Sequence, residues 1–148
     1  MVGVDDVDDF LRQLRIAAFE CPPLCEVPLG SYWLGNPVMH GPWPAATCAA
    51  VLKIWYEADL IRLHFPAYPA EWNLVPGGWG TRLVDGDALA DADAEKLLDH
   101  PERWVRENAD GYVVPCATWQ GDVAPLAEWL AAALDTAQRL PLTTHPEP

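Results

Sequence analysis

Apolar residues recur at three- and four-residue spacing near the start of the chain, which is the period of an amphipathic helix. The spacing predicts a first helix over about 4–19, with one apolar stripe formed by Val4, Val7, Leu11, Leu14 and Ala18. Aspartates crowd its first turn, where the helix dipole favours negative charge. Pro22 and Pro23 follow and end the helix, because proline interrupts the backbone hydrogen bonding of a helix.

The next segment, 21–44, contains six prolines and three glycines together with many apolar residues. This composition excludes a long helix and a central strand, yet it is too apolar for a solvated linker. We therefore predict an ordered, packed loop with one short extended piece at 31–34. Pro44 suits the first position of a second helix. We expect that helix to run to about Ala58, with a buried face formed by Cys48, Val51, Leu52 and Trp55.

A strand is predicted directly after the second helix. Apolar residues alternate with Arg62 and His64 over 60–65, which is typical of a strand with one buried face. Prolines and glycines then mark a second ordered loop over 66–80. A short strand is expected to return from this loop over about 79–84.

Further along the chain, a third helix and a second hairpin are predicted. Asp85 or Asp87 is expected to cap the third helix, which spans about 88–99 and ends before a proline. The hairpin is predicted over 103–114. Its turn is Asn108–Gly111, with the glycine in the left-handed position.

Gly121 and Asp122 are expected to cap a last helix that ends near Leu140. Its predicted buried residues are Val123, Leu126, Trp129, Leu130, Ala133 and Leu134. The 148 residues suit one domain over 1–140, followed by a frayed, proline-containing tail over 141–148. Helices and antiparallel hairpins alternate without parallel crossover units, so we predict an α+β fold with four helices and two short antiparallel hairpins.

The net charge of −13 is concentrated in 85–110, which holds nine acidic residues and three basic ones. Such a surface repels phosphate backbones and favours basic partners. The alternative interpretation is that the acidic surface only keeps the protein soluble and has no partner. The spacing of Asp85, Asp87, Asp91 and Asp93 is similar to a calcium loop, but the central glycine and closing glutamate are missing. We interpret these aspartates as a helix cap and a solvated acidic face.

The four cysteines are interpreted as reduced thiols. The first ten residues are acidic and give no export signal, so we expect a cytoplasmic protein. Cys21 and Cys25 have a spacing seen in zinc sites, and His40 or Cys48 would complete the set, but no second closely spaced pair exists. We therefore expect no metal and no cofactor. No apolar stretch reaches the length of about 18 residues that a membrane helix requires, so no membrane partner is expected.

Residues 45–84 resemble one protein family in the order of their predicted elements. These elements are the second helix, the strand after it, the loop and the returning strand. The central sequence is Ala50-Val51-Leu52-Lys53-Ile54-Trp55-Tyr56-Glu57-Ala58-Asp59-Leu60-Ile61-Arg62-Leu63. This order resembles the recognition helix and wing of a winged-helix domain, and the resemblance implies a DNA-binding or accessory transcription regulator. A DNA-reading helix and wing need basic residues, whereas this helix offers only Lys53 and the presumed wing over 66–80 has none. We therefore expect no nucleic-acid partner.

These features favour a non-enzymatic protein-binding module, inhibitor-like or immunity-like, which docks on a basic protein as a monomer or dimer. We predict no catalytic residues. The expected working surface joins the loops 28–43 and 66–80. Its partner-binding residues are four partly exposed rings and the acidic stretch beside them: Trp33, Trp43, Trp72, Trp79, Asp85, Asp87, Asp91 and Asp93. The alternative is that the four rings fill the core beneath their loops.

Overall fold

The computed structural model describes residues 5–32, 39–66 and 87–143, which form an α+β fold. In chain order the helices and strands are α1 (Asp5–Glu20), β1 (Ser31–Tyr32), β2 (Met39–His40), α2 (Ala45–Glu57), β3 (Ile61–His64), α3 (Asp91–Asp99), β4 (Val114–Ala117), α4 (Trp119–Val123) and α5 (Leu126–Gln138). Short 3₁₀ turns occupy Val27–Leu29, Pro101–Arg103 and Ala109–Tyr112. None of the helices in these ranges is long and apolar enough to cross a membrane.

Two antiparallel strand pairs are present in the described ranges. The first joins β1 to β2, and the second joins β3 to β4, with Ile61 opposite Ala117 and His64 opposite Val114. On the other side of β3, the backbone N–H of Leu89 donates to the carbonyl of Leu63 at 2.9 Å. The stretch before α3 therefore adds a third extended segment beside β3.

The core lies where α1, α2 and α5 pack together and α1 covers β4. Trp55 and Trp129 are fully buried at its centre, with their ring centroids 5.0 Å apart in an edge-to-face arrangement. A buried indole needs a hydrogen-bond acceptor. The indole N–H of Trp55 donates to the carbonyl of Trp129 at 2.9 Å, and this bond joins α2 to α5.

The predictions for the first two helices and for the strand after them are confirmed. The helix α1 and the helix α2 lie within one residue of their expected bounds, and β3 lies inside the predicted strand. The expected inner face of α2 is buried throughout. The winged-helix resemblance depends on the loop and returning strand, and 67–86 lies outside the described residues. The resemblance therefore stays a prediction.

The hairpin predicted over 103–114 is wrong. Its two arms contain 3₁₀ turns instead, and β4 pairs with β3, about 50 positions earlier in the chain. The side chain of Asn108 accepts from the backbone N–H of Asp110, which starts a 3₁₀ turn in place of a hairpin turn. Gly111 is needed for close approach, because a Cβ there would lie 2.2 Å from the carbonyl oxygen of Val105.

The predicted cap of the third helix is also wrong. The helix α3 begins after Ala90, which makes no side-chain capping bond. Asp87 contributes its backbone carbonyl to β3, accepting from the N–H of Phe65 at 2.9 Å. Asp85 lies outside the described residues.

The predicted last helix is divided into α4 and α5, and its cap is Thr118 instead of Gly121 or Asp122. Pro125 separates the two helices because it has no backbone N–H to donate. The division leaves Val123 57% exposed, and Leu134 is also exposed, so their predicted burial is wrong.

The start of the tail contacts the rest of the fold, and the fraying of 141–148 stays a prediction. The buried hydroxyl of Thr47 donates to the carbonyl of Pro141 at 2.7 Å. Leu142 packs against the core. Residues 144–148 lie outside the described residues.

Candidate functional site

Trp43 is the one predicted ring that lies within the described residues. It is only 7% exposed, and its ring centroid is 5.1 Å from that of Phe10 in an edge-to-face contact. The backbone N–H of Trp43 donates to the carbonyl of Pro28 at 2.7 Å, which joins the end of this loop to the 3₁₀ turn Val27–Leu29. The expectation of a partly exposed ring is therefore wrong for Trp43. Trp33, Trp72 and Trp79 lie outside the described residues, and their role stays a prediction.

The acidic residues Asp87, Asp91 and Asp93 are all exposed, as an acidic face requires. Asp91 also has a structural partner, because its carboxylate accepts a hydrogen bond from the Tyr56 hydroxyl and so ties α3 to α2. Burial, followed by this carboxylate, raises the pKa of Tyr56 to about 12. The acidic face is therefore partly committed to holding the fold together.

A hollow of about 250 Å³ lies beside the acidic face, with the exposed ring of Phe65 at its edge. Asp93 and Lys96 both line it, and Arg103 forms an ion pair with Asp110 at 2.5 Å. Charges of both signs meet here, so the hollow has no preference for one sign of ligand.

A cleft of about 380 Å³ lies at the opposite end of the β3–β4 pair, between the end of α1 and α4. We call it the Trp119 cleft. Its described lining residues are Ala18, Phe19, Glu20, Cys21, Cys116, Ala117, Thr118, Trp119 and Asp122. Aromatic rings and carboxylates line it together, and no lysine, arginine or histidine is among these residues.

The indole of Trp119 is 80% exposed, although it is carried by a firmly held helix. The Thr118 hydroxyl donates to the carbonyl of Asp59 at 2.6 Å and accepts from the N–H of Gly121 at 2.9 Å. The backbone N–H of Thr118 also donates to the carbonyl of Leu60 at 2.9 Å. These bonds fix α4 against the turn after α2 and leave the indole directed to solvent.

The other aromatic wall, Phe19 at the end of α1, is 40% exposed. Its ring lies 5.6 Å from the buried ring of Trp129, and the Arg15 guanidinium lies over the Phe19 ring at 4.8 Å. The indole N–H of Trp129 donates to the carbonyl of Gly121 at 3.2 Å. One buried ring therefore braces both walls of the cleft.

Glu20 and Asp122 give the cleft its charge. Both are exposed, and neither forms an ion pair with any residue in the described ranges. The whole chain carries a net charge of −13, so the cleft lies in a field that attracts cations.

The environments of Cys25 and Cys48 do not favour a reactive thiolate. Burial raises the pKa of Cys25, and it raises the pKa of Cys48 to about 12. A reactive thiol needs the opposite shift. Cys48 and Cys116 are buried, as predicted.

The alternative of a zinc site receives no support within the described ranges. They contain no group of three or more His, Cys, Asp or Glu side chains placed to hold a metal ion. His40, which could have completed such a site, instead lies with its Nδ1 2.8 Å from a carboxylate oxygen of Asp9.

Comparisons of the chain with protein-family models, with curated proteins and with solved structures found no match. The function is therefore argued from the chain's own residues.

Sequence reasoning missed Trp119, although the sequence contained a signal for it. Thr118 is a strong helix N-cap, and a residue directly after a cap occupies the first turn, where side chains are often solvated. The predicted cap at Gly121 put the helix start three residues too late. Trp119 was therefore not recognised as the first residue of the helix.

Proposed function

We propose that this protein is a non-enzymatic, cytoplasmic protein-binding module, of the inhibitor or immunity-protein kind, that docks on a basic partner through the Trp119 cleft. The observation that carries the proposal is the 80% exposure of Trp119 beside Glu20 and Asp122, two carboxylates without an ion pair in the described ranges. Exposed large apolar surface is unfavourable in water, so a contiguous apolar patch commonly marks an interaction site.

The apolar part of the cleft is larger than one ring. Phe19, which also lines the cleft, is exposed as well. Tryptophan is enriched among the residues that dominate binding energy at interfaces, where surrounding contacts exclude water from it. The exposed indole is therefore suited to be the central anchor of an interface.

Rigidity supports the same function. The three bonds made by Thr118 and the bracing by Trp129 hold both walls before any partner arrives. An anchor that is already ordered loses less conformational entropy on binding.

The acidic field supports the proposal of a basic partner. Complementary charge accelerates the encounter of two proteins and suppresses partners of the wrong sign. Glu20 and Asp122 lie at the cleft itself, so a basic partner gains local pairing as well as long-range attraction.

Selection from a random peptide display library on the immobilised full chain tests this function. We expect enriched peptides that combine Arg or Lys with an apolar residue and bind more weakly as salt is raised. Loss of a central anchor costs about 2 kcal/mol or more, so Trp119→Ala should weaken these peptides at least about 30-fold. Tyr112→Ala is the matched control, because this exposed ring does not line the cleft. Peptides that bind Trp119→Ala as tightly as the unmodified chain would contradict the proposal.

A further inference from the structure

The Trp119 cleft combines an open indole with carboxylates in a way that selects one kind of side chain. We infer that the cleft holds an arginine of the partner, with its guanidinium stacked on Trp119 and paired with Glu20 and Asp122. This inference rests on the proposed function and names the chemical group that the cleft recognises.

Stacking on aromatic faces is a property of the planar guanidinium, and this chain already uses it twice. Arg15 lies over the ring of Phe19 at 4.8 Å, and Arg62 lies over the ring of Tyr56 at 5.3 Å. The ring of Phe19 is therefore already in contact with a guanidinium of this chain. Trp119 is 80% exposed. Tryptophan forms stronger cation–π contacts than tyrosine or phenylalanine does.

The carboxylates distinguish arginine from an apolar side chain. An apolar occupant would shield Glu20 and Asp122 from water without providing hydrogen bonds, which is costly for a carboxylate. A guanidinium has five N–H donors in a fixed fork that matches carboxylate geometry. Lysine provides a compact ammonium that cannot stack in the same way. The cleft is thus complementary to both the plane and the charge of arginine.

The size of the cleft agrees with a side chain as the occupant. Its volume of about 380 Å³ lies near the lower end of the range of about 300–1,000 Å³ typical of small-ligand pockets. Small residues, among them Ala18 and Ala117, also line the cleft. They leave room for the stem of an arginine, while its guanidinium stays at the exposed indole of Trp119 and the exposed carboxylates.

Titration of the full chain with four short peptides tests the inference. The peptides are acetyl-Gly-X-Gly-amide, where X is arginine, lysine, citrulline or norleucine, and the readout is the indole N–H resonance of Trp119. Trp119→Phe identifies this resonance by its loss. Citrulline has nearly the shape of arginine without its charge. We expect arginine to bind at least about fivefold more tightly than lysine and at least about tenfold more tightly than citrulline.

Variants locate the effect at the cleft. Asp122→Asn and Glu20→Gln should each weaken the arginine peptide several-fold, whereas Glu128→Gln should not, because this exposed carboxylate does not line the cleft. Equal binding of citrulline or norleucine would overturn the inference and leave an apolar docking cleft. Failure of all four peptides to shift the Trp119 resonance would also overturn it, and the display experiment with Trp119→Ala decides the proposed function separately.

Discussion

Replacing Gly121 with alanine tests whether α4 is held as closely as the Trp119 cleft requires. A glycine-to-alanine change within a helix normally stabilises a protein by about 0.5–1 kcal/mol, because glycine loses more backbone entropy on folding. Gly121 differs, since a Cβ there would lie 2.1 Å from the carbonyl oxygen of Leu60 and 2.9 Å from a ring carbon of Trp129. Helix propensity therefore predicts that Gly121→Ala raises the free energy of unfolding, whereas packing predicts that it lowers this free energy.

The clash can be relieved only if α4 moves away from the turn after α2. That movement lengthens the two bonds from Thr118 to that turn and the bond from Trp129 to Gly121. At about 1 kcal/mol for each bond, the loss is about 3 kcal/mol. The gain in helix propensity offsets about 1 kcal/mol of this loss. We therefore expect a net destabilisation of about 2 kcal/mol, which for a chain of this size lowers Tm by about 4–8 °C.

Thermal and denaturant unfolding of Gly121→Ala, followed by circular dichroism, measures this change. Gln120→Ala is the control, because this neighbouring side chain is exposed and makes only a 3.5 Å contact with the carbonyl of Ala58. Its effect should stay within about 0.5 kcal/mol. A Gly121→Ala protein as stable as the unmodified chain, or more stable, would refute the close packing of α4.

Two further predictions concern the core. Cys48 is fully buried with a pKa of about 12, so iodoacetamide at pH 8 should leave it unmodified in the folded protein and alkylate it in guanidinium. Peptide mass spectrometry reports this, and labelling of folded Cys48 as fast as Cys25 would contradict it. Thr47→Val removes the bond to Pro141 and should cost about 1–2 kcal/mol in denaturant unfolding. A chain ending at Leu140 loses the same bond and also the packing of Leu142, so it should be destabilised by more than Thr47→Val is. Adding Thr47→Val to this shorter chain should cost clearly less than in the full chain, and fully additive losses would contradict the bond.

The elements that follow from local periodicity could be predicted from the sequence. Leu11, Leu14 and Ala18 face the core because their spacing matches the helical period, and prolines mark the end of α1. The same holds for α2. The proline before it marks its start, and its apolar residues mark the face that packs on the core. These predictions needed no knowledge of distant contacts.

The partner of β3 could not be predicted, because strand pairing is decided by residues far apart in the chain. The stretch around Asn108 and Gly111 has the local pattern of a hairpin turn. In the fold, Trp104 is buried instead, and its indole N–H donates to the carbonyl of Leu97 at 3.0 Å. Packing of this ring onto the end of α3 outweighed the local preference for a turn.

The burial of Trp43 was equally beyond local reasoning, whereas the N-cap at Thr118 was a local signal for Trp119. A Pro- and Gly-rich neighbourhood suggested a surface position for Trp43, but the ring is drawn into the core by Phe10. Trp119 lies in a stretch without such composition and is nevertheless exposed, because Thr118 fixes the direction of α4. The side-chain environment of each ring depends on contacts across the fold.

Mapping of a selected basic peptide onto the ¹⁵N-labelled full chain tests the docking role of the Trp119 cleft most directly. We expect the largest chemical-shift changes at the indole of Trp119 and at the backbone amides of 19–21 and 118–122, with a midpoint that moves to higher peptide concentration in Trp119→Ala. Changes confined to the acidic face around Asp91 and Asp93, with the Trp119 resonance unmoved at saturation, would show that the basic partner binds elsewhere.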